Sequence, residues 1–204
     1  MGTITLMLIV IIVLTSIISF YQSATMSQLQ FSAFQVYHRK QFYRLITHAF
    51  VHANWEHLIV NMIVLWSFGT AVERYFIGYF GGNGSYYYIL LFFGSVVFSS
   101  LWSLYRHKNN YYYGAVGASG AVSAILFAAI FFDPWSSIYF FGILPIPGVI
   151  FGALYLYYSW YMSKKNTDNI GHDAHFLGAL FGFCLPMIIR PALFMDFLDL
   201  LFRG

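Results

Sequence analysis

The chain has 204 residues, of which 60% are hydrophobic and only 8% are charged. An ordinary soluble domain has about 25% charged residues, so this composition excludes a soluble fold and makes lipid the solvent for most of the surface. The ten basic and seven acidic residues give a net charge of +3 and are scattered singly, which excludes a nucleic-acid-binding surface.

A membrane-spanning helix needs about 20 mostly apolar residues, and six segments approach this requirement. We therefore predict an all-α, polytopic membrane protein with a single transmembrane domain over residues 1–204. The first segment is predicted to be a retained helix rather than a signal peptide, because no Lys or Arg precedes it. The predicted spans are about 4–20, 57–72, 86–105, 119–132, 138–161 and 174–189.

Two further segments are predicted to lie at the membrane surface. The long connection 21–56 is polar at its start and rich in aromatic residues, so we expect it to lie in or on the membrane. Residues 191–204 carry Asp196, Asp199 and Arg203 among Leu and Phe. This pattern is typical of either a short interfacial amphipathic helix or a frayed tail.

Four polar side chains stand out within the apolar spans, where a polar group is costly and often functional. His57 and Asn61 are four residues apart, on one face of the second helix. Ser119 opens the fourth helix, and His175 lies near the start of the sixth. Because successive spans alternate in direction, all four residues are predicted to lie toward the same membrane face.

The fourth helix is too short to cross the membrane. Its fourteen residues, 119–132, cover about 21 Å of a hydrocarbon core about 30 Å thick. Ser119 should therefore lie about 10 Å below the surface. Irregular backbone before it, through Gly114 and Gly117, is tolerated at this depth only if it is buried in protein or lines a water-filled cavity.

Small residues recur every four positions on the fourth and sixth helices, which permits two helices to pack closely. They are Gly120, Ala124 and Ala128 on the fourth helix and Ala174, Gly178 and Gly182 on the sixth. A close crossing would bring the Ser119 hydroxyl within reach of His175, and histidine is the usual base that activates serine. His57, Asn61 and the Ser119 N–H are available to donate to an oxyanion.

These motifs resemble those of the rhomboid family of intramembrane serine proteases. The similarity to the rhomboid first loop and second helix lies in Arg44-Leu45-Ile46-Thr47, Phe50-Val51-His52, His57-Leu58-Ile59-Val60-Asn61-Met62, Phe68-Gly69 and Val72-Glu73. A second similarity, to the rhomboid nucleophile motif, lies in Gly117-Ala118-Ser119-Gly120-Ala121. A third, to the rhomboid sixth-helix motif, lies in Ala174-His175 with Gly178 and Gly182.

The resemblance implies a six-transmembrane-helix rhomboid-like bundle and a Ser-His dyad. Ser119 would be the nucleophile and His175 the general base, while His57, Asn61 and Ser119 would stabilise the oxyanion. Helix packing at the site would be supported by Gly117, Gly120, Gly178 and Gly182. The implied substrates are transmembrane proteins that enter between the second and fifth helices. The implied environment is membrane lipid, with no metal, no other cofactor and no obligatory protein partner.

Two lines of reasoning predict opposite orientations in the membrane. Three basic residues lie on the side of the two termini and seven lie in the connections after the first, third and fifth spans. The positive-inside rule alone would put those connections in the cytoplasm. The family resemblance implies that the site and the first loop are extracytoplasmic, in a bacterial inner membrane, and we adopt this orientation.

Two alternatives use the same residues. One is a non-catalytic rhomboid-like binder of membrane helices, against which the retention of all four polar residues argues. The other is a metal or haem membrane protein, although no His-Glu-x-x-His pattern occurs. Its ligands would come from His48, His52, His57, His172 and His175. A third catalytic residue at Asp173 is disfavoured, because it lies about 200° around the helix from His175.

Overall fold

The computed structural model describes residues 2–140, 142–165 and 170–203. Within these residues there are ten α-helices and one antiparallel hairpin of β1 (Ser137–Phe140) and β2 (Leu144–Pro147). Short 3-10 helices cover His48–Phe50 and Gly81–Asn83. The α-helices are α1 (Thr3–Tyr21), α2 (Ser23–Leu29), α3 (Ala33–Arg39), α4 (Arg44–Thr47), α5 (Trp55–Phe80), α6 (Gly84–His107), α7 (Ser119–Phe132), α8 (Gly148–Lys165), α9 (His172–Ile189) and α10 (Leu193–Arg203).

The prediction of an all-α polytopic bundle is confirmed. The helix α7 has the predicted bounds, and α1 and α6 are slightly longer than predicted. The predicted end of the second span at 72 is wrong, because α5 continues to Phe80. Among the described residues, three helical stretches are long and apolar enough to cross a membrane by length and composition. They are Thr3–Tyr21, the stretch Trp55–His107 that contains both α5 and α6, and His172–Ile189.

The fifth predicted span, 138–161, begins too early. Its first residues form the hairpin of β1 and β2, in which Ile138 pairs with Ile146 and Tyr139 pairs with Pro145. Pro145 and Pro147 have no N–H and would interrupt the interior of a helix, whereas a two-stranded edge accommodates them. The helix α8 therefore starts at Gly148.

The helix α7 lies at the centre of the bundle, packed against α5, α6 and α9. Every residue of this helix except Ser119 and Ala129 is buried. A helix that is apolar all round is expected where protein surrounds it on every side. Ser119 is the half-buried residue at its N-terminal end, so this end is where the central helix becomes accessible.

The two helices α7 and α9 approach backbone to backbone. A Cβ atom added to Gly178 would overlap the carbonyl group of Gly120, and one added to Gly182 would overlap that of Ala124. On the α6 side of α7, a Cβ atom on Gly120 would overlap the side chain of Ser99. Glycine at these positions removes the steric barrier to close crossing, which is how helices pack in lipid.

A buried carboxylate joins α1 to α5. The Glu73 side chain accepts hydrogen bonds from the N–H of Ile4 at 3.0 Å and from the N–H and hydroxyl of Thr5 at 2.9 and 2.8 Å. The first N–H groups of a helix have no partner within it, and a negative charge there is favourable. The Thr5 hydroxyl also lies 2.7 Å from the Tyr88 hydroxyl of α6. The N-terminal helix is thus attached to the bundle by polar contacts as well as by packing.

The long connection between α1 and α5 is organised by Arg44. Its Nη1 donates to the carbonyl groups of Ser27 and Gln30, each at 2.8 Å, and its Nε donates to Gln41 at 2.6 Å. Only 7% of the Arg44 surface is exposed. Because a guanidinium can satisfy several carbonyl groups at once, this residue holds the turns of the connection together.

The C-terminal segment forms the helix α10 and packs on the core, rather than fraying. Phe197 stacks on Phe131 of α7, with ring centroids 5.3 Å apart, and meets Phe183 of α9 edge to face. The Trp135 indole N–H donates to the carbonyl group of Leu201 at 3.2 Å.

We expect Gly182→Ala to destabilise the protein by about 1–3 kcal/mol, because the new methyl group would meet the Ala124 backbone rather than a flexible side chain. The matched control is Gly78→Ala on α5, where nothing lies within 4 Å of the added methyl group. The free energy of unfolding in detergent measures the difference. Equal stability of the two variants would contradict the backbone contact between α7 and α9.

Candidate active site

Ser119 is the first residue of α7, and the backbone before it is specialised for this start. Gly117 has a φ of +111°, a backbone conformation that residues with a side chain rarely adopt. Ala118 follows at the N-cap position and provides no side-chain cap. The N–H groups of the first turn are therefore not capped by the N-cap side chain and lie at the positive end of the helix dipole.

The loop before Ser119 is held by the connection between α1 and α5. Gly117 N–H donates to the carbonyl group of His48 at 2.9 Å, and Ala118 N–H donates to His52 Nε2 at 3.4 Å. Further back, Ala115 and Phe31 form a two-bond β-bridge. These bonds fix the position and direction of the first turn of α7.

The hydrogen bonds of His52 define its tautomer. The Ser16 hydroxyl of α1 donates to the carbonyl group of Phe50, so it is free to accept from His52 Nδ1–H at 2.9 Å. The other ring nitrogen, Nε2, then has a lone pair for Ala118 N–H. A neutral His52 with its proton on Nδ1 satisfies all of these contacts.

Burial keeps His48 and His52 neutral. It lowers the pKa of His48 to about 4, and together with the neighbouring His57 it lowers the pKa of His52 to about 3. The His48 ring lies 3.0 Å from the Ser100 hydroxyl of α6. Both residues therefore act as hydrogen-bonding supports for the loop at neutral pH, rather than as charges.

His57 lies against the same loop. A Cβ atom on Gly117 would be 2.5 Å from His57 Cε1 and 2.7 Å from Nε2, so the imidazole contacts the backbone two residues before Ser119. The Asn54 side chain caps α5 by accepting from His57 N–H at 2.8 Å. The His57 ring also meets the His52 ring edge to face, at 4.9 Å.

Asn61 is buried on the same face of α5. Its Nδ2 donates to the carbonyl group of His57, one turn earlier, at 2.8 Å. An amide nitrogen carries two hydrogens, so this bond fixes the orientation of the group and leaves a second donor. The Asn61 amide is thus oriented by its own helix.

His175 lies in the first turn of α9, next to the contact with α7. Its ring stacks on Tyr155 of α8 at 6.4 Å and meets the His172 ring edge to face at 5.9 Å. The preceding residue, Ala174, has its carbonyl oxygen 3.6 Å from the position of a Cβ atom on Gly120. The chain neighbours of Ser119 and His175 are therefore in contact across the two helices.

The structure thus brings His57 and the start of the His175 helix to the first turn of α7, while Asn61 lies one turn after His57 on α5. His57 borders Gly117, and His175 follows the residue that approaches Gly120. Asp173 is directed elsewhere, because its carboxylate accepts from Ser103 of α6 at 3.2 Å and from Ala174 N–H at 2.9 Å. These contacts give Asp173 a structural role at the start of α9.

The histidines considered for a metal site do not form one cluster. Among the described residues, no three His, Cys, Asp or Glu side chains are grouped so that they could hold a metal ion. His52 and His57 meet near the serine loop, whereas His172 and His175 meet on α9.

Sequence reasoning missed the support of the site. The sequence assigns His48 and His52 no role except as ligands in the metal-site alternative, although His52 also lies in the Phe50-Val51-His52 motif. The signal for their role was the presence of two histidines in a connection otherwise rich in aromatic residues. It also missed the hydroxyl pair of Ser123 and Tyr155, 2.6 Å apart, because no spacing rule relates two residues on different helices.

Comparisons with known proteins identify relatives that match most of this chain. The sequence model of the Rhomboid domain matches residues 39–192. The chain is 29% identical over 153 residues to RHOMBOID-like protein 12, mitochondrial, of Arabidopsis thaliana, a match that covers 66% of this chain and 43% of the relative.

Two further relatives are similar at the same level. Rhomboid protein 1, mitochondrial, of Saccharomyces cerevisiae is 29% identical over 153 residues, with 72% of this chain and 42% of the relative covered. Rhomboid protease GluP of Bacillus subtilis is 28% identical over 141 residues, with 69% of this chain and 25% of the relative covered. The matches span less than half the length of each of these three relatives.

The buried histidines predict a loss of stability in mild acid. In the unfolded chain they would take up protons below their ordinary pKa of 6.5, whereas the folded chain keeps them neutral down to about pH 4. Their contribution is therefore complete above pH 6.5 and is lost as the pH falls from 6.5 toward 4.

The thermal midpoint in detergent, measured from pH 7.5 to about 4.5, tests this dependence. We expect His52→Gln to flatten the dependence and the exposed control His38→Gln to leave it unchanged. A His52→Gln variant with the slope of the wild type would contradict the assignment.

Proposed function

Because this chain belongs to the rhomboid family, we propose that it is an intramembrane serine endopeptidase that cleaves transmembrane substrate proteins. The observation that carries this proposal is the half-buried Ser119 at the accessible N-terminal end of an almost fully buried helix, beside the helix that carries His175. The name of one relative, Rhomboid protease GluP, is consistent with it.

In the proposed reaction, Ser119 is the nucleophile and His175 is the general base. The Ser119 hydroxyl attacks the carbonyl carbon of the scissile peptide bond while His175 accepts its proton. His175 then returns the proton to the leaving amine, and an acyl ester on Ser119 remains. Water, activated by the same imidazole, hydrolyses this ester and restores the serine. The reaction uses no metal and no other cofactor.

The oxyanion formed on attack would be stabilised by three groups, namely the side chains of His57 and Asn61 and the N–H of Ser119. The contact of His57 with Gly117 and the fixed orientation of the Asn61 amide support this assignment. The positive end of the α7 dipole acts in the same direction. Donors that are already oriented in a site of low dielectric constant stabilise such a charge without reorganising.

Four glycines are proposed to support this geometry through packing. Gly117 permits the turn before Ser119, and Gly120, Gly178 and Gly182 permit α7, α6 and α9 to approach. The low charge content of the chain leaves apolar walls around the site, where electrostatic interactions are strong.

The proposed partners are membrane lipid and transmembrane substrates that enter between α5 and α8, as the resemblance implies. We propose that the site is on the extracytoplasmic side of a bacterial inner membrane. The relatives named above include two mitochondrial proteins and one from Bacillus subtilis. Reporter fusions to both termini test the side: signals from the extracytoplasmic compartment would contradict the proposed orientation.

Purified protein incubated in detergent with a transmembrane peptide tests the activity. We expect the wild type to cleave the peptide and Ser119→Ala to leave it intact, because the variant has no nucleophile. Ser67→Ala, which removes an exposed hydroxyl on α5, serves as the matched control and should cleave like the wild type. If Ser119→Ala cleaves as fast as the control, the serine mechanism is wrong. If the folded wild type does not cleave either, the proposed protease activity fails and the non-catalytic alternative is favoured.

His57→Ala and Asn61→Ala should each slow cleavage by up to ~10²–10³, the range for loss of one oxyanion donor. The exposed His38→Ala is the control for loss of an imidazole, and it should turn over at the wild-type rate. The turnover number and KM are measured for each variant. Full activity of both site variants would restrict the oxyanion donors to the backbone.

A further inference from the structure

Tyr155 connects the helix α8 to the start of the central helix. Its hydroxyl lies 2.6 Å from the hydroxyl of Ser123, which is buried one turn after Ser119 on α7. The Ser123 hydroxyl donates its proton to the carbonyl group of Ser119 at 2.8 Å. Because that proton is already used, the Tyr155 hydroxyl must be the donor to Ser123. A directed hydrogen-bond chain thus runs from α8 to the backbone of Ser119.

The ring of Tyr155 is held by aromatic neighbours. It stacks on Phe151 of its own helix at 6.1 Å and meets Phe127 of α7 at 5.6 Å. It also stacks on His175, with a centroid distance of 6.4 Å and an angle of 27° between the planes. Aromatic pairs prefer such offset stacking at this separation. The same side chain therefore touches the imidazole and, through Ser123, the backbone of Ser119.

We propose that Tyr155 is a positioning residue for His175. Tyr155 holds the imidazole by stacking on it and is itself fixed by its hydrogen bond to Ser123. This inference rests on the proposed function, because a positioning role requires that His175 act as the base. Tyr155 stacks on the His175 ring and reaches the Ser119 backbone through Ser123, so it acts on the reaction by holding these groups. It adds a contribution of α8 to a site otherwise built from α5, α7 and α9.

The contact of Tyr155 with His175 and Ser123 depends on the packing of α8 against α7. The buried residues of α8 are Gly148, Gly152 and Ser159, so most of this helix lies on the outside of the bundle. Gly152 packs against Ile130 and Phe127, and a Cβ atom there would lie 3.2 to 3.6 Å from them. Movement of α8 away from α7 would break the Tyr155 hydrogen bond and the stack together. The imidazole is therefore fully held only when α8 is packed against α7.

The test uses Tyr155→Phe, Ser123→Ala and the double variant, with Tyr157→Phe as the control on an exposed tyrosine of the same helix. Two rates are measured for each protein. One is cleavage of a transmembrane peptide, and the other is labelling of Ser119 by a small fluorophosphonate, which needs no helix to enter the site. Thermal midpoints in detergent establish that each variant is folded at the assay temperature.

We expect each single variant to lower kcat by about three- to tenfold, the worth of one hydrogen bond, with KM nearly unchanged. Labelling of Ser119 should slow in the same proportion. The double variant should be slower than either single variant by less than the product of the two effects, because both substitutions remove the contact between Tyr155 and Ser123. Each also removes one bond of its own, from Ser123 to the Ser119 carbonyl group and between Tyr155 and Ser159. Tyr155→Ala, which also removes the stack, should be slower than Tyr155→Phe, and Tyr157→Phe should behave as the wild type.

Two results would overturn the inference. Labelling at the wild-type rate in Tyr155→Phe and Tyr155→Ala would show that His175 is held without Tyr155. A change confined to KM for the peptide would assign Tyr155 to substrate entry instead. The Ser119→Ala protein separates this inference from the proposed function. If that variant retains cleavage, the serine mechanism fails, whereas its inactivity together with fully active Tyr155 variants removes the positioning role alone.

Discussion

The backbone contact between α7 and α9 is the constraint on which the rest of the site depends. Lipid offers no hydrophobic force between helices, so their association relies on close van der Waals packing. Glycines at 178 and 182 let the carbonyl groups of α7 lie directly against α9. Because the contact continues to Gly120 and Ala174, the chain neighbours of Ser119 and His175, the starts of the two helices lie side by side. Any side chain at these glycines would separate them.

The second requirement is that the buried central helix should begin at a defined depth. This is set from outside α7, by a loop whose N–H groups bond to His48 and His52. His52 also bonds to Ser16, so the N-terminal helix takes part in holding the serine loop. Burial lowers the pKa of both histidines and keeps them neutral. The apolar surroundings that keep these histidines uncharged would also strengthen electrostatic interactions at the proposed serine site.

Much of this arrangement could be predicted from the sequence, because few polar residues interrupt the apolar spans. The bounds of α7 follow from hydropathy, and the contact between Gly120 and Ala174 agrees with the close helix crossing that the small residues predict. The second predicted span ends at 72, whereas α5 continues to Phe80, because the next residue, Glu73, is buried by its bonds to the N-terminus of α1. The hairpin before α8 was missed because its residues are as apolar as a span. Contacts such as Tyr155 with Ser123 depend on the packed geometry alone.

The most direct test of the pairing of Ser119 with His175 is the site of covalent labelling by a fluorophosphonate. The Ser119 oxygen displaces fluoride from phosphorus efficiently only if a neighbouring base accepts its proton. Mass spectrometry should find the adduct on Ser119 of the wild type and none in His175→Ala protein with a similar thermal midpoint. Equal labelling of the His175→Ala protein, or an adduct on a different serine, would contradict the account.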